Sequence, residues 1–318
     1  MTVADGLENP TGVAIQPGSG DVFVAERPAI VRFVVKGDGS AKRSVEIDGF
    51  PTDQYGKGPI YDIGPLGITF HSGGEYLIVG DGSQQDVAEL IRIYQISSSP
   101  ASAPIKSDSA VLSLGPLGST ETLKAEGNYY GIVYSRRHRA IYATANGDDT
   151  KGWIVRSLQG ADEIPQKLER FLATKEAVEV DAPVAITLNS DDDLVVGQMG
   201  EINVPGDSLL SIYDAKSGKL KANYSTGLFD ITGLAYAPDG TLYATDFAWM
   251  DTTKGAVYKL AVSGDECKAT KVVDLDKPTA LAFDHNGNLY VTVMGTAKDG
   301  DSKQPGKLLR INKAGLGD

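Results

Sequence analysis

A strand–turn–strand pattern occurs six times along the chain, and this repetition limits the fold more than any other feature. One copy is "TGLAYAPDGTLYATD", residues 232–246. It has a short strand of alternating character, a polar turn around Asp-Gly, and a second strand rich in β-branched and aromatic residues. The other five copies begin at Thr11, Leu66, Tyr130, Val184 and Thr279.

The spacing of these copies indicates the type of repeat. Counted from the second residue of each copy, successive copies begin 47 to 64 residues apart. Two further strand patterns follow each of the first five copies; in the first they are "AIVRFVV" from Ala29 and "SVEIDG" from Ser44. Repeats of about 40 to 50 residues with four strands each are typical of propeller blades. The sequence therefore predicts an all-β, six-bladed β-propeller that forms a single domain over residues 1–318.

The sixth copy has no fourth strand after "KLLRINK", because the chain ends soon afterwards. The N-terminus supplies one: "TVADGLENPTG" at residues 2–12 resembles "KVVDLDKPTA" at residues 271–280, which leads from a fourth strand into the next blade. We predict that residues 2–5 complete the last blade, since this closes the ring and pairs two otherwise open edges.

The repeats resemble those of six-bladed propellers of the NHL-repeat and TolB-like superfamily. "PTALAFDHNGNLYVT" and "ITGLAYAPDGTLYATD" look like the NHL consensus. If the strands of a blade are lettered a to d from the channel outward, the resemblance implies that ligands meet the face carrying the d–a connections and b–c loops, here called the upper face. Propellers host hydrolases, lyases, sensors and binding platforms, so the fold alone does not determine function.

Aromatic side chains are predicted to gather at this upper face. Tyr61, Tyr129, Tyr130 and Phe229 belong to d–a connections, and Trp249 follows Asp246 in a b–c loop. Aromatic rings beside a carboxylate predict a binding mouth for a small molecule, glycan or peptide. Packing between blades is the alternative interpretation of the same rings.

Two insertions, residues 50–62 and 97–127, exceed the basic blade. We predict that both lead to the upper face, where they would wall or cover the mouth.

A calcium site is the main catalytic alternative. The chain bears a distant likeness to gluconolactonase/senescence-marker propellers, which implies a calcium ion held by Glu, Asn and Asp just before strand a. The matching positions here are the first residues of the six copies, and none is a carboxylate or an amide. A second ring, at the ends of the b strands, contains Glu26, Asp81 and Asp246, which are candidate metal ligands. They are alternatively structural acceptors of backbone hydrogen bonds. No cofactor is firmly implied, and Ca²⁺ is the one kept open.

Composition excludes several partners. The formal charge of −12 disfavours nucleic acid, and no apolar run is long enough to span a membrane. The single cysteine excludes an internal disulfide, and no signal-peptide pattern opens the chain. All three histidines fall on a–b turns of the opposite face, which argues against a histidine base. We expect a monomer. The resemblance to this superfamily and the acidic surface favour a location outside the cytoplasm.

These observations predict a ligand- or protein-binding propeller module that uses the upper face without catalysis. A calcium-dependent hydrolase or lactonase and a structural scaffold are the alternatives, so whether the protein is an enzyme stays open at this point.

Overall fold

The computed structural model describes residues 1–56, 58–85, 87–121, 123–124, 127–145, 151–161, 163–297 and 303–317. In the first half of the chain the strands are β1 (Thr2–Leu7), β2 (Gly12–Ile15), β3 (Val22–Glu26), β4 (Ala29–Val35), β5 (Ala41–Asp48), β6 (Asp53–Tyr55), β7 (Tyr61–Ile63), β8 (Pro65–Phe70), β9 (Tyr76–Asp81), β10 (Leu90–Gln95), β11 (Ile105–Lys106), β12 (Leu112–Leu114), β13 (Ile132–Ser135) and β14 (Ala140–Ala145).

The second half continues the same strand-rich pattern. Its strands are β15 (Trp153–Leu158), β16 (Glu169–Ala173), β17 (Pro183–Leu188), β18 (Leu194–Gln198), β19 (Leu209–Tyr213), β20 (Leu220–Ser225), β21 (Ile231–Tyr236), β22 (Leu242–Asp246), β23 (Ala256–Ser263), β24 (Glu266–Asp274), β25 (Pro278–Phe283), β26 (Leu289–Val293) and β27 (Gly306–Ile311). The helical elements are one short α-helix, α1 (Thr174–Val178), and 3₁₀ turns at Ser107–Ser109, Thr252–Lys254 and Lys313–Gly315. No helix in these described ranges is long and apolar enough to cross a membrane.

The strands form six antiparallel blades, which confirms the predicted propeller. Blade 1 contains β2 to β5, blade 2 contains β8, β9, β10 and β12, and blades 3, 4 and 5 take β13–β16, β17–β20 and β21–β24. Blade 6 contains β25, β26 and β27, with β1 as its outer strand. A separate hairpin of β6 and β7 lies between blades 1 and 2 in sequence.

The predicted N-terminal closure is also confirmed. β1 pairs antiparallel with β27, from Thr2 opposite Leu309 to Leu7 opposite Gly306. The pairing extends two residues beyond the predicted segment, because Leu7 is 1% exposed in the core between blades 6 and 1. The first strand in sequence therefore joins the last blade to the first.

Apolar contacts between neighbouring blades form the core. Blades 1 and 2, for example, meet where the Phe23 and Phe70 rings pack edge to face with centroids 5.0 Å apart. Strand b is buried along its whole length in most blades, since it is covered on both faces. This packing gives each strand a fixed position around the channel.

The insertion at residues 97–127 differs from the prediction in its first part. The buried Arg32 guanidinium donates to the carbonyl oxygens of Ser97 (3.0 Å) and Ser98 (2.6 Å) and pairs with Asp21, which is on an a–b turn. β11 then adds in parallel to the outer edge of blade 1. The buried guanidinium thus draws this part of the insertion to the face opposite the mouth.

Removal of residues 1–8 is expected to lower the free energy of unfolding by at least about 3 kcal/mol, because the β1–β27 pairing and the burial of Leu7 are both lost. Thermal unfolding followed by circular dichroism measures the change. Removal of residues 317 and 318 is the matched control and should have little effect. An unchanged melting temperature in the first variant would contradict the closure.

Candidate functional site

Threonine side chains near the start of strand a tie neighbouring blades together at the channel mouth. The Oγ1 atom of Thr11 donates to the carbonyl oxygen of Pro65, 2.8 Å away in the next blade. Thr232 donates in the same way to Pro278 (2.9 Å), and Thr279 to Pro10 (2.8 Å). These hydroxyl protons are committed to carbonyls of the adjacent blade, so the polar groups around the channel serve the ring itself.

Tyr130 crosses the channel. It comes from blade 3, and its hydroxyl donates to the carbonyl oxygen of Thr279 in blade 6, on the opposite side of the ring, at 3.1 Å. Burial raises the pKa of the Tyr130 phenol well above its usual value, so the group stays a neutral donor. The side chain is one of those that line a cavity at the upper face.

This cavity is lined almost entirely by apolar groups. The space that water molecules could occupy is about 50 Å³. The described residues that line it are Thr11, Tyr55, Tyr61, Ile63, Leu66, Asn128, Tyr130, Val184, Met199, Thr232, Phe247, Trp249, Thr279 and Met294. None of these residues carries a carboxylate, an ammonium, a guanidinium or an imidazole.

Trp249 is the centre of the aromatic wall. Its ring lies 5.1 Å from Phe247, 5.2 Å from Tyr61 and 5.9 Å from Tyr55, measured between centroids. Tyr55 and Tyr61 belong to the β6–β7 hairpin, so the insertion at residues 50–62 covers the cavity as predicted. Gly56 permits this contact, because a Cβ there would lie 2.8 Å from Cζ2 of Trp249.

Three of the predicted ligand residues meet at the cavity and three do not line it. Tyr61, Tyr130 and Trp249 line it, while Tyr129 is 1% exposed in the core between blades 2 and 3. Phe229 lies outside the lining, with the Lys254 ammonium 5.1 Å above its ring. The sixth, Asp246, is described below.

The prediction omitted Tyr55 and three residues that directly follow the b strands of blades 4, 5 and 6. These three are Met199, Phe247 and Met294. Their shared position in the repeat was a usable signal: one large apolar residue immediately after strand b in consecutive blades.

The three candidate metal ligands lie on different blades, and each has its own partner. Glu26 forms an ion pair with Arg43 and accepts the backbone N–H of Glu8 at 3.2 Å. Asp81 pairs with Arg92 at 2.6 Å. Both ion pairs join strands of one blade: β3 to β5 for Glu26, and β9 to β10 for Asp81.

Asp246 accepts hydrogen bonds from the backbone N–H groups of Phe229 (3.1 Å) and Asp230 (2.7 Å). It therefore fixes the connection between blades 4 and 5.

The residues at the channel mouth do not fit a calcium ion. Calcium takes six to eight oxygen ligands, several of them anionic. The described lining offers no carboxylate, and its three threonine hydroxyls bond to proline carbonyls. Across the described part of the chain, no group of three or more His, Cys, Asp or Glu side chains is placed to hold a metal ion.

Asp230 is a buried carboxyl group that bonds to the backbone of the aromatic wall. The side chain is 2% exposed; its Oδ2 accepts the N–H of Trp249 at 2.5 Å, and its carbonyl oxygen accepts the N–H of Phe247 at 2.9 Å. Its Oδ1 is buried without a hydrogen-bond partner. Burial raises the pKa of Asp230 to about 7, and the negative charges of Asp246 and Asp207 act in the same direction.

The Asp230→Asn variant is expected to become more stable than the parent as the pH rises. The raised pKa means that folded Asp230 keeps its proton between about pH 4 and 7 while the unfolded chain has lost it. The stability of the parent therefore falls across this window, by at most about 4 kcal/mol, and levels off above pH 7. The neutral amide avoids that loss.

Urea unfolding of both proteins at pH 4.5, 6 and 8 measures the difference. Asp193→Asn is the control, because this buried carboxylate pairs with the Lys221 ammonium on the opposite face. A stability difference that stays constant with pH for Asp230→Asn would contradict the assignment.

No protein-family model matches this chain, and no curated protein sequence matches it either. Solved structures do match along almost the whole length. The PQQ-bound aldose sugar dehydrogenase from Streptomyces coelicolor is 17% identical with a TM-score of 0.64, covering 98% of this chain and 96% of its own. A gluconolactonase from Xanthomonas campestris is 13% identical with a TM-score of 0.60, covering 97% and 88%.

A luciferin-regenerating enzyme is 12% identical with a TM-score of 0.62, covering 98% of this chain and 93% of its own. The chain is thus a six-bladed β-propeller whose structural neighbours include gluconolactonase and sugar dehydrogenase propellers at low sequence identity. At such identities the likeness establishes the shared fold alone.

Proposed function

We propose that the protein is a binding module whose upper-face cavity holds an uncharged, apolar small molecule. One observation carries this proposal: the cavity at the channel mouth is lined by aromatic, aliphatic and methionine side chains, with no charged group among its described lining residues. Concave sites with such linings bind ligands mainly through burial of apolar surface.

The polar atoms of the lining favour this ligand over a glycan or a peptide. The hydroxyls of Thr11, Thr232 and Thr279 bond to proline carbonyls, and that of Tyr130 bonds across the channel. The Nε1–H of Trp249 is buried without a partner, but it can replace only one of the several hydrogen bonds to water that the hydroxyl groups of a glycan would give up, which is costly. An apolar molecule loses nothing comparable.

The same lining supports binding without catalysis. General acid–base chemistry needs a group whose pKa lies near the working pH. Tyr61 and Tyr130 have pKa values raised above the usual phenol value by burial, so both remain neutral. Asp230 contacts the backbone of Trp249 and is not among the residues that line the cavity.

A calcium-dependent hydrolase or lactonase is the alternative, and the similarity to the Xanthomonas campestris gluconolactonase favours it. Such an enzyme needs several oxygen ligands converging on the ion, which the described lining lacks. PQQ, the anionic quinone of the Streptomyces coelicolor structure, would likewise need cationic partners. The residues present do not fit either group.

Binding of 1-octanol tests the proposal. We expect saturable binding by calorimetry, with an affinity that falls at least fivefold (roughly 1 kcal/mol) in Tyr61→Ala because part of the aromatic wall is lost. Tyr76→Ala removes an exposed tyrosine ring at the start of β9, beside an a–b turn, and should bind as the parent does.

Absence of saturable binding in a folded protein would refute the binding module and favour the scaffold. Turnover of δ-gluconolactone or phenyl acetate that requires added Ca²⁺ would instead establish the hydrolase.

A further inference from the structure

Three large apolar side chains on upper-face connections are exposed to solvent. Ile60 is 60% exposed, Met250 62% and Val204 46%. All three belong to upper-face connections: the tip of the β6–β7 hairpin, the b–c loop of blade 5 and the b–c loop of blade 4. We call these three residues the rim.

Two rim residues are immediate sequence neighbours of residues in the cavity wall. Ile60 directly precedes Tyr61, and Met250 directly follows Trp249; the rings of these two neighbours lie 5.2 Å apart. Val204 stands two residues after Ile202, which packs against the same hydrophobic cluster. Single exposed apolar residues are common on proteins, but several around one opening indicate a surface that is covered when a ligand binds.

The size of the cavity limits what can enter it. Its volume of about 50 Å³ is a third of the volume, roughly 150 Å³, of an engineered apolar cavity that binds benzene. A ligand that enters without repacking the wall must be slender, and only its end is enclosed. The remainder has to lie across the rim.

Charge limits the other end of the ligand. Among the described residues, Lys277 is a cation close to the wall: its ammonium lies 6.0 Å from the Tyr61 ring centre and already bonds to Gly295 O and Thr296 Oγ1. The net charge of −12 opposes an anionic head group. An uncharged head group that stays in water needs no cation and is not repelled by the negative charge of the protein.

We infer that the occupant is an uncharged single-chain amphiphile, with the end of its alkyl chain in the cavity, the next carbons on the rim and its polar head in solvent. This inference rests on the proposed function and adds the shape of the ligand and the position of each of its parts.

A series of 1-alkanols from four to ten carbons tests it. Affinity should rise about fourfold with each added methylene, because each carbon beyond the enclosed end is removed from water when it packs on the rim. Calorimetry gives the dissociation constants. The emission of Trp249, the only tryptophan left in a Trp153→Phe background, reports occupancy of the wall.

The rim variant Ile60→Ser/Met250→Ser separates the two parts of the ligand. It should weaken 1-decanol about tenfold and leave 1-butanol within about twofold, since only the longer chain reaches the rim. Val111→Ser/Leu158→Ser is the matched control, because these residues are 59% and 40% exposed outside the upper-face connections. It should change neither affinity.

The outcomes distinguish this inference from the proposed function. If no alkanol binds, the proposed function itself fails. If 1-butanol binds but affinity stops rising beyond four carbons, or the rim variant weakens all alkanols equally, the site stands and the inference is overturned. Decanoate binding as tightly as 1-decanol would overturn the uncharged head group.

Discussion

Closure of the ring by the N-terminal strand is the constraint on which the rest of the structure depends. Each blade presents its inner strand to the channel and its faces to two neighbours, so an open ring would expose apolar surface on two blades at once. The β1–β27 pairing joins the ends of the chain and buries Leu7 between blades 6 and 1. The geometry of the channel mouth follows, because all six inner strands are then held at fixed distances.

In the closed ring, polar groups at the centre form hydrogen bonds between blades. Thr11, Thr232 and Thr279 each donate to a proline carbonyl in the next blade. Tyr130 bonds across the channel between opposite blades. The described residues that line the mouth are mostly apolar and carry no charge, and the β6–β7 hairpin places two tyrosines over it. The contacts that hold the ring thus shape a site suited to burial of apolar surface.

Sequence reasoning was most successful where the repeat itself carried the information. Blade order and closure followed from pattern, as did the coverage of the mouth by residues 50–62. It was less complete for individual side chains. Tyr129 and Tyr130 are adjacent, yet one packs between blades and the other enters the channel, because successive residues of an extended segment point in opposite directions. Tyr55 lies in an insertion without counterparts in other blades, so no repeat position indicated its role.

The sequence by itself determined the number of blades and the partner of each blade strand, since these depend on local periodicity and turn residues. Only the tertiary structure decided which rings form the wall. It also decided that Glu26 and Asp81 pair with arginines of their own blades and that Asp246 bonds to the connection between blades 4 and 5. The tertiary structure also places Asp230 against the backbone N–H of Trp249, where burial raises the pKa of the carboxyl group to about 7. Contacts between residues far apart in sequence set these features, and a local pattern carries no information about the distance between such residues.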